Sequence, residues 1–267
     1  MTPLPRVALS ASDQEALRRR QQRVNEAGTY AQKIAAAKQS FAAKPRALFG
    51  RVRTRLRAMC SGNARCVYCE DSLADEIEHI RPKDLYPEQA FAWENYVFAC
   101  GPCNGPKNNR FAILVQTRAA PPRLQDVTRK RGDPVRRPRR GVAALIDPRV
   151  ENPVDLLWLD FMSFWYLPAL TAEDAAKLRV NYTLEVLGLN QRDDLVRGRQ
   201  AAYSGFVSRL ERFASNADQW SADQRRSFVA DFRAERYRGV WEQMKRQRKS
   251  LPEVERLLAA VPEALAW

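Results

Sequence analysis

The stretch CVYCEDSLADEIEHIRPKDLYPEQAFAWENYVFACGPCNGPKNNR, residues 66–110, decides how this chain is read. It opens and closes on Cys-x-x-Cys pairs, Cys66 with Cys69 and Cys100 with Cys103. One tight turn carrying two thiolates offers half the ligands of a tetrahedral ion, and two such turns complete the set. The pairs therefore predict a single structural zinc site. A redox dithiol or an iron–sulfur cluster is the alternative, but the strand–motif–helix context of a thioredoxin-like site is missing. The 30 residues between the pairs exceed the spacing of common zinc ribbons, leave room for a long hairpin, and are where function is expected. Cys60, outside both pairs, reads as an ordinary partly buried thiol.

Outward from this segment, charge is the next signal. The chain has 267 residues, 45% apolar and 28% charged, with a net charge of +14, the balance of a globular protein of one or two domains whose first candidate partner is a polyanion. The excess is not uniform: residues 1–60 carry +10, residues 61–117 carry −3, residues 118–140 carry +7, and residues 141–267 are neutral. Basic flanks around a slightly acidic module suit a site that draws in a phosphate backbone while keeping carboxylates free for a cation. The first residues lack the order of a signal peptide, and the longest apolar stretch, 156–170, is 15 residues long and contains Asp160. A cytoplasmic protein with no membrane span is expected.

These shifts predict four parts: a basic helical segment over 1–60, a zinc-binding module over 61–117, a basic Pro/Arg-rich linker over 118–140, and a mainly helical domain over 141–267. The fold class expected is mainly α with a small α+β module. Ser12 with Glu15 resembles a capping box opening one helix to about Ala43, and a second helix runs from about Pro45 to Met59. Beyond the linker, LLWLDFMSFWYL (156–167) has strand or hairpin character, and helices are expected over 171–187, 190–214, 221–248 and 252–265.

Between the cysteine pairs stand Asp75-Glu76-Ile77-Glu78-His79-Ile80-Arg81-Pro82-Lys83 and Trp93-Glu94-Asn95-Tyr96, and the second pair runs into Asn104-Gly105-Pro106-Lys107. His79 is the only histidine. In a strand it shares parity with Ile77, while Glu76, Glu78 and Ile80 take the other face. The order Glu-His, then Asn95 sixteen positions after His79, then Cys-x-x-Cys-Asn-x-x-Lys with its Asn104 nine positions after Asn95 resembles the HNH nuclease motif in its zinc-containing form. More broadly, Ile-Glu-His-Ile-Arg-Pro-Lys, Trp-Glu-Asn-Tyr, Leu-Ile-Asp-Pro-Arg (145–149) and Leu-Gly-Leu-Asn (187–190) resemble HNH proteins of the Septu-type and retron-associated anti-phage systems.

The resemblance implies a ββα-metal module, flanked here by helical segments, and phosphodiester hydrolysis of nucleic acid, DNA ahead of RNA, in anti-phage defence. A non-catalytic zinc-stabilised nucleic-acid-binding module or an adaptor is the alternative. His79 is expected to be the general base, since an imidazole titrates near neutrality. An acid limb near pH 6 follows unless the adjacent Glu78 raises its pKa. Glu78 and Asn104 would hold one Mg²⁺ or Mn²⁺, a hard cation that takes oxygen ligands, with Asp75 or Glu76 as the alternative carboxylate. Asn95 would brace the loop that aims the histidine. Arg81, Lys107, Arg136, Arg137, Arg139 and Arg140 are the candidate nucleic-acid contacts. The neutral C-terminal domain is a candidate docking surface for a partner ATPase.

Overall fold

Alternation along two short strands organises the molecule. In the computed structural model, which describes residues 1–117 and 120–267, strand β1 (Glu76–His79) pairs antiparallel with β2 (Tyr96–Ala99), His79 standing opposite Tyr96 and Glu76 opposite Ala99. Successive side chains of a strand point to opposite faces. Ile77, Tyr96 and Phe98 accordingly enter one core, and Ile80, Val97 and Ala99 enter another.

The first core is closed by the N-terminal helices α1 (Ala11–Glu26), α2 (Tyr30–Ala42) and α3 (Arg46–Arg57), through Leu17, Val24, Ala37, Phe49 and Val52. Where the sequence reading has one helix up to Ala43, the chain breaks at Gly28 because Thr29 starts a new helix: its hydroxyl accepts from the Gln32 amide, and the Gln32 side chain accepts from the Thr29 amide. The α1 cap is Ser10, accepting from the Asp13 amide at 3.1 Å, instead of Ser12. Both are the same local chemistry, displaced by two residues in one case and overlooked in the other.

After β2, the short helix α4 (Gly101–Lys107) leads into a sheet of order β4-β3-β5, with β3 at Ala112–Thr117, β4 at Ala120–Asp126 and β5 at Val142–Ala143. The expected linker over 118–140 is thus corrected in its first part, apart from Arg118 and Ala119, which lie outside the described residues. Pro121 and Pro122 suggest a loop, yet β4 is an edge strand, where a missing N–H is tolerated.

The second core joins the cysteine turns to the C-terminal part, made of α5 (Pro153–Leu156), the hairpin β6 (Leu157–Leu159) and β7 (Tyr166–Pro168), then α6 (Asp174–Leu187), α7 (Asp193–Asn216), α8 (Ala222–Arg233), α9 (Arg238–Gln247) and α10 (Pro252–Ala260). Phe206, Phe232, Trp241 and Trp267 form its aromatic centre. The expected helix over 221–248 is two helices, because Tyr237 adopts a left-handed backbone (φ 58°) and turns the chain between α8 and α9. The 156–167 segment is the expected hairpin, with Leu157, Leu159 and Tyr166 inside and Met162, Trp165 and Leu167 outside. No helix among the described residues is long and apolar enough to cross a membrane.

One residue of the 145–149 motif fastens the C-terminal part to the paired strands. Arg149 donates to the Tyr96 carbonyl at 2.7 Å, and its guanidinium lies 4.7 Å from the centre of the Trp93 ring. Arg149→Ala removes both interactions and is expected to lower the unfolding free energy by about 1.5 to 3 kcal/mol, the range for a hydrogen bond from a charged donor. Urea denaturation reads this directly, and a change under about 0.5 kcal/mol would mean that β2 does not depend on Arg149.

Candidate active site

The two cysteine turns converge. Cys66 and Cys69 lie on a turn closed by the Glu70 amide, which donates to the Cys66 carbonyl at 2.9 Å, with Glu70 itself in the left-handed region (φ 60°). Cys100 precedes α4 and Cys103 lies in its first turn, so the helix aims the second pair. All four side chains are buried, and their sulfurs lie within 4.8 Å of one another. The Cys69 and Cys100 sulfurs are 3.8 Å apart. That is far beyond a disulfide bond of about 2.05 Å, and it matches two thiolates bound at about 2.3 Å to one tetrahedral ion. The set could hold a metal. Burial pushes the Cys66 thiol well up, so a shared cation is what would keep four thiolates together. Arg192, from the start of α7, brings its Nη1 to 3.5 Å from the Cys103 sulfur.

A cleft of about 420 Å³ opens beside β1 and α4, lined by His79, Glu76, Asn104, Phe41, Lys44 and Lys83 among others. The His79 imidazole is buried, meeting the rings of Phe41 and Tyr96 edge-on at 4.6 and 5.1 Å. Its Nε2 is 3.0 Å from the Ala90 carbonyl. A carbonyl only accepts, so the ring proton sits on Nε2 and Nδ1 keeps its lone pair. Burial is the main cause that lowers the His79 pKa to about 3, and repulsion from Lys83, Lys107 and Lys44 adds to it. The shift runs opposite to the one that the neighbouring Glu78 suggests in the sequence: burial and the lysines prevail, and the Glu78 carboxylate is turned elsewhere.

Glu78 is instead buried in an ion pair with Lys107. Lys107 is fully buried, and its ammonium also donates to the His79 carbonyl at 2.9 Å. This corrects the expectation that Lys107 meets phosphate, and it takes up the carboxylate first expected to face a divalent ion. The acid beside Asn104 is Glu76: the Asn104 amide donates to its carboxylate. Parity explains the pairing only in part, since Glu76 and Glu78 share a face of β1; helix α4 separates them, with Asn104 and Lys107 one turn apart.

Asn95 ties the interstrand loop to itself. Its Oδ1 accepts from the Arg81 amide at 2.8 Å, while Nδ2 donates to the carbonyls of Arg81 and Gln89 at 2.9 and 3.0 Å. Arg81 does not line the His79 cleft. Its guanidinium packs against the rings of Tyr86 and Phe111 and donates to the Gly141 carbonyl, bordering a separate cleft together with Arg140. Arg136, Arg137, Arg139 and Arg140 are exposed on a segment without regular structure. The cations that sequence reasoning misses at the His79 cleft are Lys44, Arg53 and Lys83. The +10 charge of residues 1–60 signals the sign of the first two without their position.

Residues 66–110 match the family model described as HNH endonuclease. The chain is also 26% identical to Septu protein PtuB of Bacillus thuringiensis over 188 residues, which cover 68% of this chain and 59% of that protein. The match thus spans about three fifths of the length of the curated relative. Both findings agree with the resemblance carried by the motif.

The His79 environment sets a pH dependence of stability. Between about pH 6.5 and about pH 3 the unfolded chain binds a proton at His79 that the folded chain does not, so this contribution is complete above pH 6.5 and is lost as pH falls toward 3. Relative to His79→Gln, the wild-type protein should lose up to about 1.4 kcal/mol per pH unit across that window. Paired thermal melts from pH 7 to pH 4 measure it, and a constant difference between the two proteins would contradict the buried neutral imidazole.

Proposed function

We propose that this protein is a metal-dependent HNH endonuclease that hydrolyses phosphodiester bonds of nucleic acid, DNA ahead of RNA, as an effector in anti-phage defence. The observation that carries the reading is the buried His79, its Nε2–H held by the Ala90 carbonyl, in a cleft shared with Glu76 and Asn104. Nδ1, whose lone pair the Nε2–H contact with the Ala90 carbonyl leaves free, then serves as the general base that takes a proton from water. Asn95 acts on the loop rather than on the substrate, fixing the chain between the strands so that the imidazole keeps its direction.

The Glu76 carboxylate and the Asn104 side chain, joined by the hydrogen bond that the Asn104 amide nitrogen donates, bring a carboxylate and an amide oxygen to the same cleft, hard donors that would hold Mg²⁺ or Mn²⁺. Such an ion supplies charge stabilisation for the phosphate and the leaving oxygen when bound. Glu78 would join these ligands only on release from Lys107. The four-cysteine centre suits zinc, which four thiolates close to chemistry; its task is structural, joining the turn before β1 to α4. A partner ATPase would dock on the C-terminal part, a reading to which the exposed Met162 and Trp165 of the β6–β7 hairpin lend support.

Elemental analysis of purified protein should find about one tightly held zinc per chain, with cutting still dependent on added Mg²⁺ or Mn²⁺. Iron at the cysteine centre, or full activity after EDTA strips loosely held ions, overturns the two-metal scheme. Plasmid, single-stranded DNA and total RNA incubated with the protein identify the substrate. His79→Ala should abolish cutting, by about 10²-fold or more as for loss of a general base, while binding persists. Unchanged function in that variant would favour the alternative of a zinc-stabilised binding module without catalysis.

A further inference from the structure

Three cations stand at the mouth of the His79 cleft. Lys44 lies in the corner between α2 and α3, Arg53 lies on α3, and Lys83 follows β1 on the interstrand loop. Two of them are organised by one ring: the ammonium groups of Lys44 and Lys83 lie 4.5 and 5.4 Å from the centre of Phe41, the same side chain that packs against the His79 imidazole. The hydrogen bonds of this group run to backbone. Lys44 donates to the Phe41 carbonyl at 3.3 Å and the Arg53 guanidinium to the Asp75 carbonyl at 2.9 Å.

Elsewhere the chain pairs its charges freely, as in Lys38 with Asp84, Arg51 with Asp13 and Arg179 with Glu151. Among the described residues, no carboxylate lies within ion-pairing distance of Lys44, Arg53 or Lys83. Glu78, which also borders the cleft, is committed to Lys107, and Glu76 is engaged with Asn104. Like charges gathered without counter-charge repel one another; burial together with Arg53 and Lys83 lowers the Lys44 pKa. An arrangement that costs stability and faces the candidate base is suited to an anion with several closely spaced negative charges.

We infer that Lys44, Arg53 and Lys83 form a phosphate clamp that grips the nucleic-acid backbone on either side of the scissile bond, so that helices α2 and α3 are a wall of the active-site cleft. This rests on the nuclease reading and adds to it the residues that hold the substrate. The Phe41 ring sets the two ammonium groups and touches the base, which links substrate grip to imidazole position. The exposed arginines at 136, 137, 139 and 140 are thereby distinguished from the clamp: they can collect nucleic acid at a distance, whereas the clamp acts at the bond that breaks.

The test measures binding in a His79→Ala background, which does not cut, using fluorescein-labelled duplex DNA, single-stranded DNA and RNA over a range of salt concentration. Lys44→Gln, Arg53→Gln and Lys83→Gln should each weaken binding and reduce the log–log salt slope, by about 0.9 for each duplex phosphate no longer neutralised or about 0.7 for each phosphate of a single strand. The triple variant should give up two to three phosphates, a slope change of about 1.8 to 2.7 on duplex. Arg225→Gln on α8 is the control and should change neither quantity. Relief of the repulsion among the three cations should offset the loss of the Lys44 and Arg53 hydrogen bonds to backbone and of the two contacts with the Phe41 ring, so the melting temperature should stay close to that of the parent, which a purely structural role would not allow. With His79 restored, the triple variant should cut more slowly even at saturating substrate. A triple variant with unchanged affinity and salt slope overturns the clamp, and if the parent still cuts, the nuclease reading survives alone. A lowered melting temperature in all three single variants also overturns the clamp, since it assigns these cations to the fold. A parent chain that neither binds nor cuts any of the three nucleic acids overturns both.

Discussion

The molecule depends on a pair of four-residue strands buried on both faces. A two-stranded ribbon is marginal by itself, and here each face is sealed by a different set of helices: Tyr96 and Phe98 against the N-terminal helices, Val97 and Ala99 against the C-terminal ones. A register slip of one residue would exchange the two faces and send His79 into the wrong core. The cysteine turns sit at one end of this ribbon and Asn95 fastens the other, so the short strands are fixed at both ends as well as on both faces. The small module therefore shares its cores with the segments on either side of it.

Burial on this scale shapes the chemistry. His79 lies among apolar rings and near three lysines, and the same surroundings that orient it keep it neutral. The Glu78–Lys107 pair brings two charges of opposite sign into the interior directly behind the imidazole, with the ammonium also fastened to the His79 carbonyl. A buried pair of this kind is a poor source of net stability but a strong constraint, because removing either partner leaves the other charged and alone. It fixes the end of β1 against the end of α4, and so holds the base in relation to Asn104.

Much of this is legible in the sequence and some is not, for identifiable reasons. The cysteine pairs, the strand parity of Ile77 and His79, the place of Asn95 in the interstrand loop and the hairpin at 156–167 all follow from spacing over short distances, where local chemistry determines geometry. The helix breaks at Gly28 and Tyr237 escape such reading. The first lies in a capping box hidden inside a run of good helix formers, and the second is a tyrosine in a backbone region that seldom accepts one. Lys107 has the look of a solvated cation because nothing local reveals that Glu78, 29 residues earlier, comes to meet it. The cleft cations Lys44 and Arg53 are invisible for the same reason: their place depends on how α2 and α3 lie over β1, which is a tertiary fact.

The four cysteines also have a history in time. A chain made from its N-terminus has all four thiols in place when Cys103 is finished, yet the helices that complete their enclosure begin with α6 at Asp174, about seventy residues later. In the folded protein they belong to the same buried core as Leu187, Leu189 and Leu195, and the Arg192 guanidinium reaches the Cys103 sulfur. An ion held at this centre would therefore leave only through an opening of the larger core, so its exchange would report on the stability of that core and not on the cysteine turns alone.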